Sequence, residues 1–371
     1  MRKQSQAGTR RNFKKLLIQP EEGLEAILDG ISGARKSVEI AIFRFDQKKI
    51  EQALEKAVGR GVAVSALIAS VNRAGERGLR ALELRLLGAG VKVARTDTDL
   101  LRYHGKYMIV DQRRLYLLAF NWTHADIERS RSFGLIASNT AAVREAIRLF
   151  DADSRRIPME PPPELLVVSP LNARRQIATF IKQAKKELVV YDPKVGDPEM
   201  IKLLASRAKA GVRIRILGKL EEPIPGVEAY RLAHLRLHTR TMVRDGTHGF
   251  LGSQSLRTPE LDQRREVGTT FHDLAAVAGV LRTFESDWEK AVHASRIAAD
   301  TPTVKIAKKL AKVVVREMPA VTPIVNGAVK QNEIPDPEIV AQEVAEIVRH
   351  AVQEALQDAE ETAVQKVGGN A

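Results

Sequence analysis

Residues 103–111, with the sequence YHGKYMIVD, and residues 238–245, with the sequence HTRTMVRD, share one pattern around which the chain is organised. In each stretch a histidine is followed two residues later by a long cation and seven residues later by an aspartate. Because alternate side chains of a strand point to one face, each histidine shares a face with its cation. An imidazole beside a fixed positive charge suits attack on a phosphate. Two copies supply one imidazole to attack and one to protonate a leaving group.

Shorter matches outside these motifs indicate an internal duplication. Residues 33–36 (GARK) correspond to 183–186 (QAKK), and residues 59–62 (GRGV) to 209–212 (KAGV), both at a spacing of 150 residues. The histidine motifs are spaced by only 134 residues, so the second copy lacks 16 residues between these points. We expect the missing piece to be a helix that the first copy carries around residues 79–87.

The spacing of apolar residues predicts alternating helices and strands. In the first copy, helices are predicted over residues 21–36, 50–58 and 79–87, and strands over 38–45, 62–69 and 91–95. In the second copy, a helix over residues 174–186 precedes a strand over 188–192, and a later helix covers 274–292. This alternation favours an α/β sandwich with a central sheet.

The composition indicates partners that carry phosphate. The formal net charge is +13, and residues 301–371 have a net charge of −2, so the first 300 residues carry +15. Nucleic acid and anionic lipid headgroups both fit such a charge. The chain has no apolar run of membrane-spanning length and no signal-peptide pattern at its start, so we expect a cytoplasmic protein. The absence of cysteine removes disulfides, thiol nucleophiles and thiolate metal sites.

The patterns divide the chain into five segments: a basic N-terminal arm (1–19), a first repeat (20–156), a proline-rich linker (157–164), a second repeat (165–298) and a helical C-terminal tail (299–371). The arm carries six basic and no acidic residues within residues 1–15, which predicts disorder or a contact role. Within the tail, residues 338–367 form a long predicted helix with an apolar stripe. That helix packs on the body, self-associates, binds a protein partner or stays disordered.

The two motifs resemble the H-x-K-x4-D-x6-G-S-x-N signature of the phospholipase D superfamily. The first copy matches at His104, Lys106, Asp111 and Asn121, with Leu118 and Ala119 in place of Gly-Ser. The second matches at His238, Asp245, Gly252 and Ser253, with Arg240 in place of Lys and Ser255 in place of Asn. The resemblance covers about residues 20–295 and excludes the tail.

The resemblance implies an α/β fold of two pseudo-symmetric, phospholipase D-like sandwich repeats, with the helical tail added. It also implies that both motifs form one site. There, one histidine attacks phosphorus to give a phosphohistidine, and the other protonates the leaving alcohol and then activates water or a second alcohol. No metal or other cofactor is implied.

The site residues follow from the motifs. We favour His104 as the nucleophile, because its own motif keeps both Lys and Asn, and His238 as the general acid and base. A phosphodiester repels nucleophiles by its charge, so cations must neutralise its oxygens, a role for Lys106 and Arg240. Further hydrogen bonds to the phosphate are expected from three side chains, Asn121, Ser253 and Ser255.

Three acidic residues are expected to support the site rather than touch substrate. Asp111 and Asp245 are expected to shape their motifs through local hydrogen bonds. In the resembled family a downstream Glu often steadies an imidazole, and Glu266 fits that position. The matching first-half position is about Ser132, so one such carboxylate is expected to be absent.

Three functions are compatible with these residues. The favoured one is a metal-independent phosphodiesterase or phosphatidyltransferase acting on a phospholipid. The first alternative is a nuclease of the same superfamily, which the basic charge favours. The second is a non-catalytic phosphate-binding scaffold whose C-terminal helix recruits a partner. Peripheral membrane contact would fall to Leu16-Leu17-Ile18 or to a basic amphipathic helix over residues 305–318.

Overall fold

The computed structural model describes residues 13–69, 75–96, 100–138 and 140–300. Residues 1–291 form one compact unit, and Val292–Ala371 form a second unit, whose described part, residues 292–300, is helical. The calls on residues 1–12, on the helix at 305–318 and on the partner helix at 338–367 lie outside the described residues.

Helices and strands alternate in both halves of the chain. The first half contains β1 (Phe13–Gln19), α1 (Glu25–Ser32), β2 (Ser37–Ile42), α2 (Lys48–Gly59), β3 (Ala63–Ile68), α3 (Gly75–Gly88), β4 (Lys92–Arg95), β5 (Arg102–Tyr103), β6 (Tyr107–Val110), β7 (Arg114–Leu118), α4 (His124–Glu128), β8 (Ser130–Ala137) and α5 (Thr140–Arg155). The second half contains β9 (Leu166–Val168), α6 (Ala173–Lys182), β10 (Glu187–Val195), α7 (Pro198–Lys209), β11 (Arg213–Leu220), β12 (Val227–Tyr230), β13 (Arg236–Leu237), β14 (Arg240–Arg244), β15 (His248–Gly252), α8 (Thr258–Asp262), β16 (Arg264–Arg265), β17 (Val267–Phe271) and α9 (Leu274–Asp300).

Each half builds a sheet with the same strand order, which confirms the predicted pair of pseudo-symmetric α/β repeats. The orders are β1-β8-β7-β6-β2-β3-β4 and β9-β17-β15-β14-β10-β11-β12. In both sheets the last three strands are parallel and the others antiparallel. Between β11 and β12 the chain has no helix that matches α3, so the prediction of a missing helix in the second half is confirmed.

The sheets pack their apolar strands against helices, and this packing forms a core in each half. Every residue of β6 is buried, and β2 and β3 each bury their last three residues. Helix α1 places Ile27 and Ile31 against this sheet in the first core, at the helical spacing that the sequence shows. Strands buried on both faces are expected where helices cover the sheet.

The arm assigned to residues 1–19 needs correction at its C-terminal end. Residues 13–19 form β1, which pairs antiparallel with β8, and Leu17 is buried in the core. The first repeat therefore begins at β1 rather than at residue 20. Because Leu17 is an inward-facing core residue, the Leu16-Leu17-Ile18 segment is also wrong as a membrane-docking surface. The signal was present, since Pro20 and Pro170 follow β1 and β9 at the same spacing of 150 residues.

Two very short strands cross between the halves and join the motifs. Strand β5, just before His104, pairs with β16 of the second half. Strand β13, just before His238, pairs with β8 of the first half. The backbone N–H of His104 donates to Arg265 O at 2.7 Å, and that of His238 donates to Arg131 O at 3.1 Å. Each histidine is thus held by the opposite half.

Among the described residues, no helix is both long enough and apolar enough to span a bilayer.

Candidate active site

His104 and His238 lie in equivalent loops, the first between β5 and β6 and the second between β13 and β14. Both imidazoles are largely buried, with 10% and 12% of their side-chain surface exposed. Burial lowers the pKa of each imidazole well below its ordinary value, and Lys106 and Arg240 lower both further. Since each cation acts on both rings, and His104 itself lowers the pKa of His238, the two motifs meet in one site.

The imidazole of His104 has a buried carboxylate partner from the other half. Its Nδ1 lies 2.8 Å from Glu266 Oε2, and Glu266 is fully buried. The ring also meets the edge of Phe43, with 4.9 Å between ring centroids. With Nδ1 donating to the carboxylate, the lone pair lies on Nε2, which is the nitrogen free to attack. Glu266 therefore orients His104, the histidine of the opposite motif.

The imidazole of His238 is held less closely. The position equivalent to Glu266 is Ser132, which is buried and has no carboxylate. Instead, Asp126 of helix α4 places its Oδ2 3.5 Å from His238 Nδ1, beyond hydrogen-bond length. Asp126 is buried and also accepts the Asn121 backbone N–H at 2.7 Å. Sequence reasoning missed this residue, although it lies 134 residues before Glu260, the spacing of the two motifs.

The two motif cations are held in the same way. Lys106 Nζ donates to His104 O at 2.6 Å, and Arg240 Nη1 donates to His238 O at 2.6 Å. Lys106 is almost fully buried, and burial lowers its pKa well below the ordinary lysine value. Two cations enclosed beside two imidazoles form a pocket whose charge is best balanced by a bound anion.

The three expected phosphate ligands occupy different positions. Asn121 Nδ2 donates to Asp126 Oδ2 at 2.6 Å, and Ser255 Oγ accepts from Arg240 Nε at 3.0 Å, so both lie beside the motif groups. Ser253 is fully buried, and its Oγ accepts the Val267 N–H at 3.1 Å. We therefore revise Ser253 from a phosphate ligand to a support for the chain next to Glu266.

Asp192 is a buried group that the motifs do not contain. It accepts the Leu256 N–H at 2.7 Å, and burial raises the pKa of its carboxyl to about 6. Arg240 and Ser255 oppose that rise. Asp192 therefore lies behind the second motif, where it compensates part of the charge of Arg240.

The aspartates of both motifs hold backbone rather than site groups. Asp111 Oδ1 accepts the N–H groups of Lys36 at 2.7 Å and of Ser37 at 3.1 Å. Asp245 Oδ1 accepts those of Lys186 at 2.7 Å and of Glu187 at 3.2 Å. Each aspartate closes the turn after its motif strand onto the start of the neighbouring strand, with φ of 53° in both.

Replacing Asp111 by Ala is expected to lower the free energy of unfolding by about 1–3 kcal/mol, because buried or partly buried N–H acceptors are lost. Urea denaturation followed by circular dichroism measures this. Glu55→Ala, an exposed carboxylate on α2, is the matched control and should change stability by less than about 0.5 kcal/mol. Equal stability of both variants would contradict the structural role of Asp111.

Among the described residues, no cluster of three or more His, Asp or Glu side chains is arranged to hold a metal ion.

Comparisons with known proteins agree with this architecture. A family model described as "Cardiolipin synthase, PLD-like domain" matches residues 27–154, which include the first motif. The mitochondrial cardiolipin hydrolase of Mus musculus is 33% identical over 138 residues, which are 37% of this chain and 58% of that protein. The chain thus spans little more than half the length of this curated relative.

Solved structures show the same fold over most of the chain. A polyphosphate kinase from Porphyromonas gingivalis superposes with a TM-score of 0.61 at 19% identity, covering 73% of this chain and 49% of the kinase. A phosphatidylserine synthase from Haemophilus influenzae superposes with a TM-score of 0.55 at 12% identity, covering 74% of this chain and 85% of the synthase. At such identities these likenesses show the fold alone.

Proposed function

Because the chain belongs to the phospholipase D superfamily, we propose that it is a metal-independent phosphodiesterase that works through a phosphohistidine intermediate. The observation that supports this most is the meeting of His104 and His238 in one buried, cation-lined site. A non-catalytic fold would have no need to bury two imidazoles beside two cations, since that arrangement is costly without an anion.

The first step transfers the phosphoryl group to the enzyme. His104 Nε2 attacks phosphorus, the P–N bond forms, and the bond to the leaving oxygen breaks as His238 gives that oxygen a proton. Lys106 and Arg240 hold the non-bridging oxygens, where charge develops. A bound phosphate anion opposes the cations and so favours the protonated form of His238 that this step requires.

The second step returns the enzyme to its starting state. His238, now neutral, takes a proton from water or from a second alcohol, whose oxygen attacks phosphorus. The P–N bond breaks and His104 is released. Water gives hydrolysis, and an alcohol gives transfer.

A phospholipid is the favoured substrate. Support comes from the descriptions of the matching proteins, which name cardiolipin for both the family model and the mouse relative. The alternative is a nuclease, favoured by the charge of +15 over the first 300 residues.

One panel of substrates separates these functions. Purified protein in EDTA is offered bis(p-nitrophenyl) phosphate, cardiolipin vesicles, and short single-stranded DNA and RNA. Turnover of the vesicles supports the lipid enzyme, and turnover of oligonucleotides supports the nuclease. Salt-sensitive binding of phosphate compounds without any turnover would contradict both and favour a scaffold.

Asp126→Asn is expected to lower kcat about tenfold with little change in KM, because neutral Asn holds the protonated form of His238 less well. The limb of the pH–rate profile that reports loss of the His238 proton should move to lower pH. Glu128→Gln, an exposed change on the same helix, should leave both readouts unchanged. An unshifted profile with only reduced stability would show that Asp126 is merely structural.

Arg240→Gln is expected to raise the pKa of both imidazoles, since the arginine charge lowers each of them. In the native site the neutral imidazole of His104 persists to lower pH than in free histidine, and activity falls only as pH drops through that lowered pKa. The variant should lose neutral imidazole at higher pH. NMR titration of the imidazole protons measures the shift without requiring activity.

Arg213→Gln, a change at an exposed end of β11, is the control for this titration and should leave both imidazoles as in the native protein. A lower pKa in Arg240→Gln, or none of the expected rise, would contradict the shared electrostatic site.

A further inference from the structure

The ring of Phe43, just after β2, gathers an unusual set of groups beside the first motif. Its centroid lies 4.9 Å from that of the His104 ring, 5.6 Å from Arg44 Cζ, 5.4 Å from Arg102 Cζ and 6.0 Å from Lys106 Nζ. Phe43 is only 4% exposed, so the ring is a fixed part of the site wall. Three cations therefore surround one ring that touches the imidazole expected to attack.

The second half has no such cluster. At the spacing of 150 residues, Phe43 corresponds to Pro193 and Arg44 to Lys194. Lys194 is paired through its Nζ with Glu221. Among the described residues, no carboxylate pairs with the Arg44 guanidinium. The pseudo-symmetry is thus broken on the His104 side, where extra positive charge is concentrated.

This concentration is unfavourable until an anion binds. Arg44 lowers the pKa of both Lys106 and Arg236, and Arg102 lowers that of His104. Contact with an aromatic face offsets only part of such repulsion. Lys106 belongs to the scissile phosphate, which leaves the charges of Arg44 and Arg102 for another anionic group.

The backbone places Arg44 next to the phosphate loop. Arg44 O accepts the N–H of Trp122 at 3.2 Å, and Trp122 follows Asn121 directly. The Trp122 carbonyl in turn accepts the Asp46 N–H at 2.9 Å, which ties the loop after β2 to the end of the motif. A group bound by Arg44 would therefore lie beside the scissile phosphate.

We propose that Arg44 and Arg102 form a subsite for a second phosphate of the substrate, adjacent to the scissile phosphodiester on the His104 side. This inference rests on the proposed function and narrows its substrates to phosphodiesters with a neighbouring phosphate. Guanidinium groups bind phosphate through paired hydrogen bonds, which suits this role. The neighbouring phosphate belongs either to a bisphosphate lipid headgroup or to the next linkage of a nucleic acid.

Binding calorimetry with matched soluble compounds tests the subsite. Glycerol 1,3-bisphosphate is compared with glycerol 3-phosphate, and thymidine 3′,5′-bisphosphate with thymidine 5′-monophosphate. In the native protein at least one bisphosphate should bind about tenfold more tightly than its monophosphate. The pair with the larger preference identifies the source of the second phosphate.

Arg44→Gln should abolish this preference, because it removes one cation of the subsite. Lys194→Gln, at the pseudo-equivalent position, should retain it. Equal affinity for mono- and bisphosphates in the native protein, or a preference that survives in Arg44→Gln, would overturn the subsite. Because binding does not require turnover, this result can be distinguished from failure of the proposed function. Turnover without the preference removes the subsite alone, and the preference without turnover removes the activity alone.

Discussion

His104→Ala is expected to lower turnover of bis(p-nitrophenyl) phosphate by at least about 1,000-fold. Alanine cannot form the P–N bond, and water must then attack a phosphodiester directly. Lys106 and Arg240 remain to bind the substrate, so KM should change much less than kcat. Release of p-nitrophenolate under steady-state conditions measures both constants.

His272→Ala is the matched control, because this histidine is exposed and lies outside the site. It should retain native kinetics. If His104→Ala kept a substantial part of native turnover while binding substrate normally, His104 would not be the nucleophile.

His238→Ala is expected to lower steady-state turnover about 100- to 1,000-fold, for a different reason. Without its base, the enzyme cannot readily activate water to hydrolyse the phosphohistidine. The first step should survive with p-nitrophenyl esters, because p-nitrophenolate leaves without a proton. Rapid mixing should therefore show a burst of product approaching one equivalent per site, followed by very slow release.

An alkyl phosphodiester provides the decisive comparison for His238. Its leaving alcohol needs a proton, so His238→Ala should show no burst with this substrate. Bursts of equal size with both leaving groups would contradict the role of His238 as general acid.

The sequence was sufficient for the fold and for the four central groups of the site. Two equal motif spacings and the alternation of helices and strands predicted paired repeats, which the matching strand orders confirm. The missing helix of the second half also followed from the difference between the spacings of 150 and 134 residues. These features depend on periodicity and repetition, which a single sequence displays directly.

The features that the sequence did not predict depend on short or long-range contacts. Strand β1 is next to a basic run, and its apolar stretch is too short for a clear period. Strands β5 and β13 have two residues each and form only by pairing across the halves. Asp126 faces the histidine of the opposite motif, which no local spacing reveals. Arg44 gains its significance only from the position of Phe43 beside His104.

The most direct test of a shared site with His104 as nucleophile is peptide mapping of a trapped intermediate. His238→Ala protein is mixed with bis(p-nitrophenyl) phosphate, quenched during the burst at alkaline pH, digested and analysed by mass spectrometry. We predict a p-nitrophenyl phosphoryl group on the peptide that contains His104. A burst without any covalent adduct, or an adduct on another residue, would contradict the account.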